Sequence, residues 1–168
     1  DHGITIIAID PDAATLFEHA HLPDTPLPDV SETDDALLMY TSGTTGKPKG
    51  CVLSNRSVCA GSEFTSSAHE LSAKDRVLCA MPLYHINAFA VTMLAPLAHG
   101  GSLAMPPRFS AGSFWQQATG SACTWINVVP TMISYLLEGE TPALESLGSI
   151  RFCRSASAAL PPAHLQAF

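Results

Sequence analysis

At 168 residues, with 46% apolar and 14% charged side chains, the chain is long enough to bury a core without disulfides or a structural metal, and its composition argues against a disordered tail. The net charge of −7 sits at the front: residues 1–35 hold nine acids and no Lys or Arg, whereas residues 36–168 carry a net +2. The bases are scattered rather than striped, which argues against a nucleic-acid partner.

Residues 4–9 form a short apolar, β-branched run that predicts a strand, and a Pro- and acid-rich surface linker follows up to residue 35. From Ala36 onward, strand-length apolar runs recur at residues 36–40, 51–53, 76–81, 101–105, 124–129 and 150–153. Helix-length segments lie between most of them. The segment after Ser54 has a cap in Ser54 or Asn55, Phe109 to Thr119 has Ser110 ahead of its apolar face, and Pro130 to Glu138 opens on proline.

The longest apolar stretch, residues 86–98, is broken by Asn87, Thr92 and Pro96 and is too short to cross a bilayer. No transmembrane segment is expected. Five cysteines without CxxC spacing, four of them in apolar surroundings, predict buried reduced thiols and a cytoplasmic location. Apolar strands alternating with helices predict an α/β fold, a largely parallel sheet layered with helices and joined by right-handed crossovers. Ligands should then bind in loops at the carboxyl ends of the strands. The expected division is a strand plus acidic linker over residues 1–35 and a core over residues 36–168. A start without Met and an end inside the helix-like PPAHLQAF suggest a section of something longer.

Directly after the apolar ALLMY comes Thr41-Ser42-Gly43-Thr44-Thr45-Gly46-Lys47-Pro48-Lys49-Gly50. Glycines allow successive N–H groups to point into one concavity, hydroxyls add short donors, and lysine adds positive charge; together these suit a polyphosphate. The same composition also suits a solvated hairpin turn. A Walker loop is excluded, because Gly43 and Gly46 are too close and Pro48, not a hydroxyl, follows Lys47.

The full string YTSGTTGKPKG resembles the signature loop of the adenylate-forming enzymes, the acyl-CoA synthetases, adenylation domains and luciferases. Two further stretches fit in order and spacing. Met81-Pro82-Leu83-Tyr84-His85 resembles the family's second core motif, and Ser155-Ala156-Ser157-Ala158-Ala159-Leu160 its adenine-contacting segment. Val128-Val129-Pro130-Thr131-Met132 is similar to a helix start common in acyl-CoA synthetases. The resemblance covers residues 36–168. Two departures stand out: Ala156 and Ser157 where glycines are common, and Ala88 where many relatives have glycine.

The resemblance implies part of the N-terminal domain of the adenylate-forming fold, with ATP, Mg2+ and CoA as reaction partners of a small-molecule carboxylic acid. Thr41, Ser42, Gly43, Thr44, Thr45, Gly46 and Lys49 would contact the β and γ phosphates, with Thr41 approaching the metal and Lys47 solvated. His85 would stand at the mouth of the acyl pocket, and Ser157, Ala158 and Ala159 would press backbone against the adenine. The tract around His85, SFWQQ and TWINVVPTMISYLLEG looks most like CoA ligases of the crotonobetaine/carnitine and fatty-acid branch, and so like fatty acid metabolism.

The second motif has no Asp to pair with a substrate ammonium, so an acyl acid is preferred over an amino acid. The metal-binding Glu motif, the ribose-binding Asp and the domain with the catalytic Lys would lie beyond Phe168, so this stretch alone should be inactive. An acyl-AMP ligase that loads a carrier protein and a noncatalytic nucleotide-binding module are the alternatives, and a homodimer is left open. His19 and His21 lack a third ligand at fixed spacing and predict no transition metal. Trp115, Trp125 and Tyr135 are expected in the core.

Overall fold

The computed structural model describes residues 28–41, 47–140 and 142–168. Compact units divide at Val30/Ser31, and all that follows concerns the unit Ser31–Phe168. The strand expected over residues 4–9, His19 and His21 lie outside the described residues.

Strand β1 (Asp35–Thr41) pairs antiparallel with β2 (Lys49–Ser54) as a two-stranded hairpin. These two strands do not join the parallel sheet, which corrects the expectation that every run from Ala36 onward belongs to it. The reason is length: the few residues between Thr41 and Lys49 suffice for a hairpin, whereas a parallel crossover needs a dozen or more.

Helix α1 (Asn55–Ala68) starts where the sequence places its cap: the Ser54 hydroxyl accepts from the Ser57 backbone N–H at 3.3 Å.

The main sheet holds β3 (Arg76–Leu78), β4 (Ser102–Ala104), β5 (Trp125–Val128) and β6 (Phe152–Ser155), all parallel, in the order β4-β3-β5-β6. A π-helical segment, Asn87–Leu94, and α2 (Ala95–Ala98) carry the chain from β3 to β4. Helix α3 (Ala111–Gly120) returns it to β5, and α4 (Pro130–Leu137) with a 3-10 turn at Leu144–Leu147 leads to β6. A last helix, α5 (Pro162–Ala167), follows.

Side chains alternate across each strand, so the sheet has two cores. Leu78, Ile126 and Val128 pack with Phe114 and Ala118 of α3 and with Met132, Ile133 and Leu136 of α4. Val77 and Trp125 face the other way, onto Leu71, Val91 and Ala95. The crossover from β3 and the crossovers around β5 thus lie on opposite faces, as right-handed connections running in opposite directions require. Their divergence between β3 and β5 makes a switch point, where the carboxyl ends of the two strands leave a crevice.

Two local features hold the layers together. The buried Ser66 hydroxyl of α1 donates to the Ala95 carbonyl at 2.6 Å. Gly101 admits no side chain, because a Cβ there would lie 2.9 Å from the Asp75 carbonyl oxygen. Two other expectations are corrected. Only Cys79 and Cys123 are buried; Cys51 is exposed on the open hairpin, Cys153 on the edge strand β6, and Cys59 on the outer side of α1. Trp125 is fully buried and Trp115 half-buried, but Tyr135 lies on the outer side of α4 and is exposed. No helix among the described residues is long and apolar enough to cross a membrane.

Candidate active site

The crevice at the switch point is a cavity of about 540 Å³, within the range of small-molecule sites. Three stretches far apart in sequence build it. Ala80–Pro82 and His85–Asn87 follow β3, Val129–Met132 follow β5, and Ser157 and Ala158 follow β6, with Phe109 closing one side. The opposite, amino-terminal edge of the sheet is tied shut by Asp75. Its carboxylate accepts from Thr124 Oγ1 at 2.8 Å, from the Ser72 backbone N–H at 2.8 Å, and from Arg151 Nη2 at 2.8 Å. Burial alone would raise this pKa, but the hydrogen bonds from Thr124, Ser72 and Arg151 together hold it below the usual carboxylate value.

The expected site residues fall into groups. His85, Ser157 and Ala158 line the cavity. His85 is exposed and its ring lies 4.5 Å from that of Tyr84; Ala159 is exposed and does not line the cavity. Thr41 and Lys49 face each other at the loop end of the hairpin, where Thr41 Oγ1 donates to the Lys49 carbonyl at 3.5 Å. Ser42, Gly43, Thr44, Thr45 and Gly46 lie outside the described residues. Among those described, no three His, Cys, Asp or Glu side chains gather as a metal site.

Ser157 holds φ at +74°, the left-handed region that favours glycine. The sequence departure is therefore a backbone strain, partly met by the Asn87 amide, which donates to Ser157 Oγ at 3.2 Å. Asn87 belongs to a polar group that sequence reasoning did not single out. Asn127 and Arg154 are register partners on β5 and β6, and Arg154 Nη1 donates to Asn127 Oδ1 at 2.8 Å and to Asn87 Oδ1 at 2.9 Å. Asn127 Nδ2 also donates to Asn87 Oδ1, at 3.3 Å. Burial pushes the Arg154 pKa down, although a guanidinium stays charged at neutral pH. The available signal was an asparagine inside the apolar TWINVV and an arginine inside IRFCRS.

The AMP-binding enzyme family model matches residues 1–168, the whole chain. The chain belongs to the AMP-binding enzyme family. It is 51% identical to the sulfoacetate–CoA ligase of Cupriavidus necator over 98% of this chain and 32% of that protein. A malonyl-CoA ligase structure with methylmalonyl-CoA and AMP bound superposes with a TM-score of 0.75 at 31% identity, over 84% of this chain and 31% of that one. ATP-bound MatB from Rhodopseudomonas palustris gives 0.73 at 28% identity, over 83% and 27%. The chain thus spans about a third of the length of the relatives it matches. In this AMP-binding chain, the second motif, the VPTM turn and the SASAAL segment meet around one cavity.

Proposed function

We propose that the protein carrying this chain activates a carboxylic acid with ATP, forming an acyl-adenylate and pyrophosphate, and then passes the acyl group to the thiol of CoA. The observation that carries this reading is the convergence of Met81–Asn87, Val129–Met132 and Ser157–Ala158 on one cavity at the sheet's switch point. The names of the relatives, CoA ligases, support the thiol acceptor. The acid occupies the apolar cavity with its carboxylate toward His85 at the rim. Backbone at Ser157, Ala158 and Ala159, with small side chains, lies against the adenine.

Thr41 to Gly46 and Lys49 grip the β and γ phosphates: backbone N–H groups and hydroxyls donate to phosphate oxygens, and the Lys49 ammonium offsets the charge that builds on the leaving pyrophosphate. Holding acid and α-phosphorus together in line removes much of the entropic barrier. Mg2+, when bound, supplies further charge neutralisation on the phosphates. Thr41 would offer it one neutral oxygen, beside phosphate oxygens and the metal-binding Glu that the resemblance places beyond Phe168.

Acid-dependent exchange of labelled pyrophosphate into ATP by the full-length protein tests the reading. The double variant Lys49→Ala with Thr44→Ala should lower exchange and ATP affinity by roughly ten- to a hundredfold, the loss of charge-assisted hydrogen bonds. Unchanged ATP affinity and exchange would remove the phosphate cradle from this loop.

A further inference from the structure

Among the described residues, Arg154 is a cation without an anion. Among the described residues the ion pairs are Arg56 with Glu32 and Arg151 with Asp75, and neither involves Arg154. Its recorded partners are two neutral amide oxygens, on Asn87 and Asn127, both reached through Nη1. Asn127 is fully buried and Arg154 half-buried. Such a group is costly to keep: removing a charge from water needs compensation, and an apolar pair across β5 and β6 would pack at lower cost. The asparagines fix the guanidinium without neutralising it, and leave Nη2 and Nε with no acceptor among the described residues.

Arg154 and Asn127 do not themselves line the cavity, and the cation is coupled to it through Asn87. Asn87, which accepts from Arg154, lines that cavity and donates to Ser157, another lining residue. The remaining wall is mostly apolar, including Met81, Ile86, Phe109, Val129 and Met132. His85 and Asn87 are two residues apart, so their Cα atoms lie within about 7 Å.

We propose that Arg154, positioned by Asn87 and Asn127, determines specificity in the acid pocket by taking a second negative group, a carboxylate or sulfonate, on a short acid. The proposal rests on the acid-activating reading above. The acid's reacting carboxylate lies toward His85, and its far anion reaches past Asn87 to the N–H groups of Arg154 behind that wall. A long apolar acyl chain leaves this charge unanswered, and a quaternary ammonium head group is repelled by it.

The test compares kcat/KM for acid-dependent pyrophosphate release by the full-length protein with malonate and succinate against propionate, butyrate and valerate. The wild type should favour the dianions by about a hundredfold. Arg154→Gln should shrink that ratio by roughly a hundredfold, the loss expected for one partner of a desolvated charge pair, and Arg154→Lys should restore part of it. Asn127→Asp keeps the guanidinium but gives it a fixed carboxylate, and should shrink the ratio in the same way even if Arg154→Gln folds poorly.

A wild type that uses butyrate as well as succinate, or variants that lower both acid classes equally, overturns the proposal. If no acid supports pyrophosphate release, the activation reading fails separately. Equilibrium binding of malonate then decides: binding to the wild type but not to Asn127→Asp keeps the anion site, and equal or absent binding removes it.

Discussion

Ser157 shows how one side chain trades backbone strain for a contact. A non-glycine residue in the left-handed region costs about 1–2 kcal/mol, and the Asn87 amide returns part of this through its hydrogen bond to Ser157 Oγ. Ser157→Gly removes both strain and contact, so urea midpoints should place it within about 1 kcal/mol of wild type. Ser157→Val adds a β-branched side chain at positive φ and loses the hydroxyl, and the same measurement should show a loss of about 2 kcal/mol. Trp125 offers a comparable separation of terms. Its ring is fully buried and stacks on Phe152 at 5.4 Å, while its indole N–H has no hydrogen-bond partner among the described residues. Trp125→Ala should cost about 3–5 kcal/mol. Trp125→Phe keeps an aromatic ring and deletes the orphan donor, so chemical denaturation should show a loss smaller than about half of that.

At the scale of elements, Asp75 ties the amino-terminal ends of the parallel strands, through Thr124 before β5 and Arg151 before β6. Asp75→Asn should cost about 2–3 kcal/mol, below the value for a wholly buried pair because Arg151 remains exposed to solvent. Its pH dependence has a definite sign. The folded-state pKa lies below the ordinary 3.8, so the stabilisation is complete above that value and disappears as pH falls through the lower folded-state pKa. Denaturation curves of wild type and variant should therefore converge in the acid limb and stay apart at neutral pH. Parallel curves across that range would assign the cost to packing alone.

The same elements show what was legible beforehand. Ser54 as cap and Pro130 at the first turn of α4 are local signals and match the structure. The α/β pattern also predicted where a cavity would open, since that follows from connection direction. The π-helical turn at Asn87–Leu94 had no such signal. Its backbone geometry accompanies Thr92, whose hydroxyl donates to the Ala88 carbonyl at 2.6 Å and to Cys79 Sγ at 3.0 Å, a contact across 13 residues. Asn127 and Arg154 become partners only once β5 and β6 adopt their register, so each looked like an isolated polar residue in an apolar run. The glycine and threonine string was legible by its order alone.

For the molecule as a whole, the cysteines report on how the sheet unit opens. Cys79 follows β3 directly and Cys123 precedes β5, both buried, whereas Cys51, Cys59 and Cys153 are exposed. Burial pushes the Cys79 thiol up and the Cys123 thiol to about 11, and because the thiolate is the nucleophile, both should be inert to a disulfide reagent at pH 8 until the core opens. Cys79 also lies next to Ala80 and Met81, which line the cavity. A ligand seated there binds the folded state and suppresses opening, by about a hundredfold when present at 100 times its dissociation constant. In the triple variant Cys51→Ser, Cys59→Ser, Cys153→Ser, thiol release should therefore be slow without acid, fast in denaturant, and slower still with a saturating acid substrate. Fast release from the native variant would mean that β3 and β5 open without the rest of the sheet. Release unaffected by the substrate would place the acid away from the crevice between those two strands.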